Sequence, residues 1–275
     1  MTTLAIAIVT YRPDLGLLAR CLDSLSAASR LARKTEQLSG ASLILIDNSN
    51  DPVIFKHLNE LLEDTKSPSW ETPRVLATES NLGYGRAHNL AIAETSADYH
   101  LVLNPDVILE VDALQQALQF MEAHPDVALL TPSAINEKGE KENLNKRLPG
   151  LLTLLIRGFA PAPVKNRFRD KIAHYEMRDL DPDEVHFDTP LASGCFMLFR
   201  SSVLKKLGGF SDRFFLYFED YDLSIRTRAL GRIAYVPDVK ITHFGGGAAK
   251  KGLKHIYLFI RSAITFFKLH GWRWW

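Results

Sequence analysis

Cysteine is scarce in this sequence. Its two cysteines, Cys21 and Cys195, lie far apart and form no CxxC pair. We therefore expect neither a disulfide framework nor a zinc site, and predict that both residues are buried thiols of a protein in a reducing compartment.

Long apolar runs and a leader are also missing. The opening residues, MTTLAIAIVTYRP, contain no basic region and no small-residue cleavage site, so a signal peptide is not expected. Charged residues interrupt the longer apolar stretches, as Arg261 and Lys268 do near the end of the chain. The sequence therefore predicts no membrane-spanning helix, and we expect a cytoplasmic protein.

An excess of charge of one sign is absent as well. Lysine and arginine number 33 against 32 aspartates and glutamates, which gives a net charge of +1. Bulk electrostatics therefore gives no reason to expect a nucleic acid partner. The composition that remains, 275 residues with 46% hydrophobic and 24% charged side chains, is typical of one large α/β domain.

The first half of the sequence alternates strand and helix patterns. Strands are predicted at 4–9, 42–46, 74–77 and 100–103. Such alternation indicates a mostly parallel sheet flanked by helices, with ligands bound beyond the carboxyl ends of the strands. Thr10, Tyr11 and Asp47 follow the first two strands and would line that crevice, although an Asx turn is the simpler account of Asp47.

A glycine-containing loop follows the third predicted strand. Asn81, Gly83 and Gly85 precede a helix pattern that carries Asn89. Small residues before a helix N-terminus let main-chain N–H groups approach phosphate or sugar oxygens. A tight turn explains these residues equally well.

Asp106 lies just beyond the fourth predicted strand, which Pro105 ends. A carboxylate at that place, over a nucleotide crevice, suits Mg²⁺ or Mn²⁺ while substrate phosphates complete the coordination. The alternative is an ordinary turn aspartate.

The segment 214–232 places three carboxylates at the start of a predicted short helix. They are Glu219, Asp220 and Asp222, and the aromatic run 214–218 directly precedes them. Helix capping explains Asp222. Large apolar neighbours would raise the pKa of the other two acids toward the range that a general base needs, so catalysis is the second interpretation.

The remaining segments are less regular. Residues 136–186 mix charged clusters and prolines with an apolar patch at 151–156, which is typical of a mobile active-site excursion. His243 stands before three glycines, 245–247, in a predicted loop that would let its ring fold back over the site.

The end of the chain is basic and aromatic. No acidic residue follows Asp238, and Ile256, Ile260, Ile264 and Phe267 recur at helical spacing. This pattern fits a helix lying in an anionic membrane interface, and equally a helix docked on the domain.

Six segments together resemble family 2 glycosyltransferases. They are VTYRP, LIDNS, NLGYGRAHN, LNPDV, SGCFMLFR and FLYFEDYDLSIR, and their order is most similar to that in bacterial rhamnosyltransferases of O-antigen or related cell-surface polysaccharides. The resemblance implies a GT-A fold with a nucleotide-sugar-binding half at 1–110, an acceptor and catalytic half at 111–248, and a helical tail at 249–275. It also implies an inverting, metal-dependent transfer of a sugar, often L-rhamnose from dTDP-rhamnose, to a lipid-linked or lipopolysaccharide glycan.

Site residues follow from the resemblance position by position. Thr10, Tyr11 and Asp47 would contact the base and ribose, and Asn81, Gly83, Gly85 and Asn89 would support the donor pocket. Asp106 would bind the metal, and His243 would face the metal or the diphosphate. Asp220 would be the catalytic base, and the neighbouring Glu219 is the second candidate for that role. Asn104 stands in the donor site where many relatives have aspartate, so one carboxylate is left in that triplet.

Transfer of a sugar requires side chains of these types. A single displacement needs a base on the acceptor hydroxyl and stabilisation of the departing diphosphate, to which Arg226 or Arg228 could contribute. A UDP-sugar-dependent transferase, a nucleotidyltransferase and a non-catalytic carbohydrate-binding protein are the alternatives. A nucleotidyltransferase would be expected to carry a glycine-rich basic loop after the first strand, where this chain has Thr10, Tyr11 and Arg12.

Overall fold

Parallel strands form from the apolar runs of the first 110 residues. The computed structural model describes residues 1–65, 70–71, 73–245 and 252–275. Its first elements are β1 (Thr2–Thr10), α1 (Leu15–Lys34), β2 (Leu38–Asp47), α2 (Pro52–Asp64), β3 (Arg74–Ala77), α3 (Tyr84–Glu94) and β4 (Tyr99–Leu103). β1 pairs in parallel with β2 and β4, and β2 with β3. Helices cover both faces of these strands, which is why β1 is apolar at consecutive positions.

The second half of the chain adds antiparallel pairs. Its elements are β5 (Val107–Leu109), α4 (Ala113–Ala123), β6 (Val127–Asn136), β7 (Lys141–Glu142), α5 (Leu151–Phe159), α6 (Ala162–Arg167), α7 (Arg169–Tyr175), β8 (His186–Phe187), β9 (Phe196–Arg200), α8 (Ser201–Leu207), α9 (Glu219–Thr227), β10 (Arg232–His243) and α10 (Leu253–His270). Within the described residues the strand order is β3-β2-β1-β4-β9-β6-β10-β5. β9 runs antiparallel to β4 and β6, so the sheet is parallel in its first four strands and mixed beyond them.

Helix α1 shows how local sequence sets an element. Asp14 caps it, because the Asp14 side chain accepts a hydrogen bond from the N–H of Leu17 (3.0 Å). Leu18 and Leu22 are fully buried against the sheet, and each contributes about 1.5–3 kcal/mol of transfer free energy. Leu15 is 37% exposed because it lies in the first turn.

The segment 136–186 is helical where an irregular excursion was expected. It contains α5, α6 and α7, and Leu154 and Tyr175 are buried with Phe214 and Phe218 in one apolar cluster. The buried Glu176 forms ion pairs with basic side chains, including Arg157 at 2.6 Å. The apolar patch at 151–156 therefore packs against aromatic residues that lie far along the sequence. Its predicted mobility stays a prediction.

Helix α10 docks on the same cluster. Ser262, Ala263, Phe266 and Phe267 are buried, and the Ser262 hydroxyl donates to the carbonyl of Leu216 (2.7 Å). The docked interpretation of the tail is thus correct for this face of the helix. Within the described residues, no helix is long and apolar enough to span a bilayer. The predicted domain boundary at 248–249 lies outside the described residues.

Candidate active site

A cleft of about 320 Å³ opens at the carboxyl ends of β1 and β4. Tyr11, Tyr84, Asn104 and Asp106 are among the residues that line it. β1 and β4 are adjacent parallel strands, so the residues that follow them meet at one edge of the sheet. Tyr11, Asn104 and Asp106 therefore come together as the sequence predicted.

Thr10 and Asp47 are buried at this edge of the sheet and form hydrogen bonds with the backbone. Thr10 is fully buried and its hydroxyl donates to the carbonyl of Ile46 (3.4 Å). Asp47 is 1% exposed, and its Oδ1 accepts from the N–H of Ser49 (2.9 Å). The Asx turn expected as the simpler account of Asp47 is therefore present, and Thr10 does not line the cleft.

Asn48 ties the end of β2 to the glycine-containing loop. Its Oδ1 accepts from the N–H of Leu82 (2.8 Å), and its Nδ2 donates to the carbonyl of Gly83 and to Oδ1 of Asn81 (3.0 Å each). Asn81 in turn accepts from the N–H of Gly83 (2.9 Å). The sequence signal that could have indicated these contacts is the position of Asn48, a polar residue directly after a buried strand.

Gly83 and Gly85 let this loop approach the chain before α9. Gly83 has a φ of 84°, and a Cβ there would lie 2.1 Å from the carbonyl oxygen of Phe215. That oxygen accepts from the N–H of Tyr84 (3.0 Å). A Cβ on Gly85 would lie 2.7 Å from the Cβ of Phe210. Close packing against other parts of the chain thus requires both glycines, whatever they contact in a ligand.

Asn89, predicted to support the donor pocket, and Arg226, predicted to help stabilise the diphosphate, bind the backbone of the chain and are not among the residues that line this cleft. The Asn89 amide exchanges two hydrogen bonds with the backbone of Phe210 (2.8 Å each). Arg226 donates to Oδ2 of Asp222 (2.8 Å) and to the carbonyl of Gly209 (2.9 Å). Both side chains stabilise the turn that leads from α8 toward α9.

Asp106 and His243 meet beside the cleft. The antiparallel pairing of β10 with β5 places His243 opposite Val107, and the N–H of Phe244 donates to the carbonyl of Asp106 (2.9 Å). His243 Nε2 lies 3.6 Å from Asp106 Oδ1, which is longer than a hydrogen bond. His243 Nδ1 lies 2.8 Å from Glu142 Oε2.

His243 is the last residue of β10 and not part of a loop as predicted. A register shift between Val236 and Lys240 lets the pairing of β10 with β6 resume and extend to His243. The strand therefore carries the imidazole to Asp106 and fixes it there. Of the three glycines that follow, Gly246 and Gly247 lie outside the described residues.

The side chains around Asp106 fit a divalent cation. Asp106 Oδ1 is buried and has no hydrogen-bond partner in the part of the chain that the structure describes. An ionised carboxylate only accepts hydrogen bonds, so Nδ1 of His243 donates to Glu142 and Nε2 carries the lone pair in the neutral ring. Metal-binding histidines commonly donate their second N–H to a carboxylate in this way.

The backbone leaves space for this group. A Cβ on Gly245 would lie 2.5 Å from Asp106 Oδ2 and 2.6 Å from His243 Nε2, so a glycine is needed where the chain passes over the pair. No cluster of three or more metal-ligating side chains occurs among the described residues. Asp106 and His243 would be the protein ligands of a cation here, and substrate oxygens would complete its coordination, as is common for Mg²⁺.

Asp220 is held at the start of α9 by main-chain N–H groups. Its Oδ2 accepts from Gly194 (3.0 Å) and its Oδ1 from Tyr221 (2.9 Å). Burial raises the pKa of Asp220 from 3.8 to about 6, although these N–H groups act to lower it. The carbonyl of Gly194 accepts from the hydroxyl of Tyr84 (2.6 Å), a cleft-lining residue. Burial raises the pKa of Tyr84, and the neighbouring acidic groups Cys195, Glu219, Asp220 and Asp106 add to that shift.

Glu219 binds its proton more tightly than Asp220 does. It is buried beside Asp220, and its pKa is raised from 4.5 to about 8, first by burial and then by the charge of Asp220. Its Oε2 has no hydrogen-bond partner within the described ranges. A neutral acid is a poorer base than its ionised neighbour, so Asp220 is the better candidate.

Asp222 does not cap α9, contrary to the sequence analysis. Its Oδ2 accepts from Arg226 Nε (2.8 Å) and its Oδ1 lies 2.9 Å from His270 Nε2. Phe218 occupies the N-cap position without a side-chain hydrogen bond and has a φ of 67°. Such a conformation costs roughly 1–3 kcal/mol for a residue with a side chain and is often found at functional sites.

Comparison with known proteins places this chain in a family. Residues 5–208 match the family described as "Glycosyl transferase family 2". The chain belongs to the family 2 glycosyltransferases. The resemblance stated from the six segments is therefore confirmed, and the protein is a glycosyltransferase.

Relatives of this glycosyltransferase include rhamnosyltransferases. The N-acetylglucosaminyl-diphospho-decaprenol L-rhamnosyltransferase of Mycobacterium tuberculosis is 28% identical over 259 residues, covering 87% of this chain and 75% of the relative. The rhamnosyltransferase WbbL of Escherichia coli K12 is 26% identical over 172 residues, covering 59% and 61%.

Solved structures share the fold of the glycosyltransferase. GalNAc-T7 with UDP, GalNAc and Mn²⁺ superposes with a TM-score of 0.67 at 14% identity, covering 98% of this chain and 48% of that chain. The mannosyltransferase PcManGT of Pyrobaculum calidifontis, with GDP-Man and Mn²⁺, gives 0.60 at 15% identity, covering 95% and 64%. S. aureus TarS 1-349 with UDP-GlcNAc gives 0.58 at 15%, covering 96% and 66%. The predicted GT-A fold is confirmed, and the chain spans about half to two thirds of these proteins.

Proposed function

We propose that this glycosyltransferase transfers L-rhamnose, with inversion, from dTDP-rhamnose to a lipid-linked or lipopolysaccharide glycan in bacterial surface polysaccharide synthesis. The observation that carries the proposal is that Asp106 and Tyr84 line one cleft and that Gly194 links Tyr84 to Asp220 through two hydrogen bonds. The similarity to two rhamnosyltransferases, one named for a diphospho-decaprenol acceptor, supports the sugar and the acceptor.

Asp220 is the general base of this proposal. It takes the proton from an acceptor hydroxyl while that oxygen forms a bond to the anomeric carbon of the sugar. The bond from this carbon to the donor diphosphate breaks, and the electron pair leaves with the diphosphate. A pKa of about 6 keeps Asp220 ionised at neutral pH and makes it a stronger base than an ordinary aspartate.

Asp106 and His243 hold the cation of this proposal, Mg²⁺ or Mn²⁺, and Glu142 orients the imidazole. When bound, such a cation neutralises charge on the departing diphosphate. Asn104, which lines the cleft next to Asp106, is placed to contact the donor with its amide.

The nucleotide occupies the outer part of the cleft. Tyr11 is 51% exposed at the cleft and offers a ring face to the base. Asp47, Asn81, Gly83 and Gly85 act through the backbone that they position, since each is engaged with or packed against the loop itself.

A thermal-shift panel of nucleotide sugars, with and without Mn²⁺, tests the donor. A ligand at 100 times its Kd stabilises a protein by roughly 2.7 kcal/mol, so dTDP-rhamnose with Mn²⁺ should give the largest shift. Transfer to a diphosphate-linked N-acetylglucosamine acceptor, with the anomeric configuration read by NMR, completes the test. A larger shift with a UDP-sugar would replace the rhamnose donor, and release of pyrophosphate would indicate a nucleotidyltransferase.

A further inference from the structure

We propose that the outer face of α10, the three tryptophans of the C-terminus and the exposed side of α5 together form a surface that docks on an anionic phospholipid bilayer. We call this surface the interfacial face. Its apolar part consists of Leu253, Tyr257, Ile260, Ile264, Leu155 and Phe159, together with the tryptophans. The proposal concerns a surface outside the cleft and does not depend on the identity of the donor.

Helix α10 has two apolar sides, and only one of them is covered. Ser262, Phe266 and Phe267 are buried against the domain. Leu253, Tyr257, Ile260 and Ile264 are 84%, 64%, 48% and 42% exposed, and their spacing of four, three and four residues places them on one side of the helix. Docking on the domain therefore accounts for the first side and leaves the second without an occupant among the described residues.

The charges beside this stripe are all positive. Lys254, Arg261 and Lys268 follow one another at intervals of seven residues, which places them in a row along the exposed apolar side. No acidic residue occurs between Gly252 and Trp275. An anionic bilayer offers a negative surface directly above an apolar layer, which is the chemical complement of this helix side.

Three tryptophans extend the stripe beyond α10. Trp272, Trp274 and Trp275 are 56%, 68% and 48% exposed. Indole rings prefer the boundary between the apolar core of a bilayer and its headgroups, because they combine a large apolar area with one N–H donor.

The C-terminal residues also join α10 to α5. The N–H groups of Leu151 and Leu152 donate to the carbonyls of Arg273 (2.8 Å) and Trp274 (3.1 Å). On α5, Leu155 and Phe159 are 47% and 49% exposed, one helical turn apart. The start of α5 and the residues that follow α10 are therefore linked by main-chain hydrogen bonds.

This surface lies directly behind the segment that carries the base. The ring of Phe218, which precedes Glu219 and Asp220, packs on Phe266 and Phe259 of α10 with centroid distances of 5.3 and 5.1 Å. Docking would thus hold Asp220 close to the plane of the bilayer. If the acceptor is lipid-linked, which rests on the proposed function, it is presented in that plane.

Binding of the full chain to vesicles tests the proposal without donor or acceptor. Three of the four tryptophans lie in the interfacial face and the fourth, Trp70, is 5% exposed, so a blue shift of intrinsic fluorescence reports docking. We expect saturable binding to vesicles of phosphatidylglycerol and phosphatidylcholine, and much weaker binding to phosphatidylcholine alone. Absence of binding to the anionic vesicles would overturn the proposal.

Variants test whether vesicle binding depends on this surface or is nonspecific. Ile260→Glu with Ile264→Glu should weaken binding at least tenfold, and Lys254→Glu with Lys268→Glu should do so by a similar or larger factor, since each basic residue is worth about fivefold. Val53→Glu, on α2 with 61% exposure, is the matched control and should bind as the wild type does. Equal binding by all variants would overturn the proposal.

Two further readings complete the test. If light scattering shows a wild-type dimer that Ile260→Glu with Ile264→Glu converts to a monomer, the face is an interface between copies of the chain, and the proposal is wrong. The same double variant should keep the thermal shift with the nucleotide-sugar donor. Loss of vesicle binding with an intact donor shift supports the surface, and failure of the donor assay in the wild type would count against the proposed function only.

Discussion

Tyr84 and Asp220 contact Gly194 from two sides. The Tyr84 hydroxyl donates to the carbonyl of Gly194 (2.6 Å), and the N–H of Gly194 donates to Asp220 Oδ2 (3.0 Å). One residue, just before β9, therefore positions both a cleft-lining ring and the proposed base. Asp220, which belongs to α9, is therefore linked to the cleft-lining Tyr84 through the backbone before β9.

Replacement of the base gives the first prediction. Asp220→Asn should lower kcat on the order of a hundredfold or more, while the Kd of the donor changes little, because the amide keeps the size of the carboxylate. In the wild type, kcat/KM should rise with pH through about 6 and then level off, since burial raises the pKa of Asp220 to about 6 and the base must be ionised. Steady-state kinetics and donor calorimetry measure both, and normal transfer by the variant would remove Asp220 as base.

Glu219 should make the protein less stable in alkaline solution. Because folding raises its pKa from 4.5 to about 8, the contribution of Glu219 to stability is complete below about pH 4.5 and is lost as the pH rises to about 8. Glu219→Gln removes this dependence, so the variant should gain in Tm relative to the wild type between pH 5 and pH 9. Each kcal/mol corresponds to about 2–4 °C in a domain of this size. A constant difference in Tm across that range would show that Glu219 does not titrate as described.

Loss of the Glu142 carboxylate should weaken the binding of the cation. Loss of a carboxylate that orients a metal-binding histidine typically weakens the metal 10–100-fold, so Glu142→Gln should raise the Kd of Mn²⁺ by about that factor in the absence of donor. Asp106→Asn and His243→Ala should weaken Mn²⁺ further, because each removes a ligand. Electron paramagnetic resonance of free Mn²⁺ measures this, with Glu140→Gln, two residues away and exposed, as control. An unchanged Kd in Glu142→Gln would contradict the proposed role.

Gly83 and Gly139 form a matched pair. Both have positive φ, 84° and 77°, but a Cβ would lie 2.1 Å from the Phe215 oxygen at Gly83 and meet nothing within 4 Å at Gly139. Gly139→Ala should therefore cost only about 1 kcal/mol, the conformational term. Gly83→Ala should cost at least about 3 kcal/mol, because backbone must move, and should also weaken the donor. Denaturant unfolding of both variants decides, and equal losses would refute the close approach.

His100 should limit stability in acid. Burial lowers its pKa from 6.5 to about 4, and neither ring nitrogen has a hydrogen-bond partner in the described part of the chain. Its contribution to stability is therefore complete above pH 6.5 and is lost as the pH falls toward 4, by about 3 kcal/mol at ~1.4 kcal/mol per pKa unit. His100→Phe should flatten the decline of stability between pH 7 and pH 4.5, whereas His57→Phe, at an exposed position, should not. Parallel declines in both variants would exclude His100 as the cause.

Local patterns were sufficient for the first half of the sheet. β1 to β4 were predicted because a strand buried on both faces is apolar throughout and ends at polar residues, a signal contained in a few neighbouring positions. The cap at Asp14 is equally local. β10 shows the limit of such patterns, because it resumes pairing after the register shift beyond Val236, and only its neighbour β6 could reveal this.

The C-terminal helix shows a second limit. Ile260, Ile264 and Phe267 recur at helical spacing, yet Phe267 is buried and the two isoleucines are exposed. Periodicity shows that residues share a side of a helix, but the direction in which that side points depends on the partner. The aromatic segment 214–218, which supplies the partner, is distant in the sequence.

The sequence by itself determined the family, the succession of strands and the acids that stand at strand and helix ends, because each of these is encoded in adjacent residues. The tertiary structure alone decided which of those side chains meet: it brought Glu142 to His243 and Gly194 to Asp220, and it directed Asn89 and Arg226 to the backbone before α9. Contacts across a sheet follow from strand order and register, and no local periodicity carries that information.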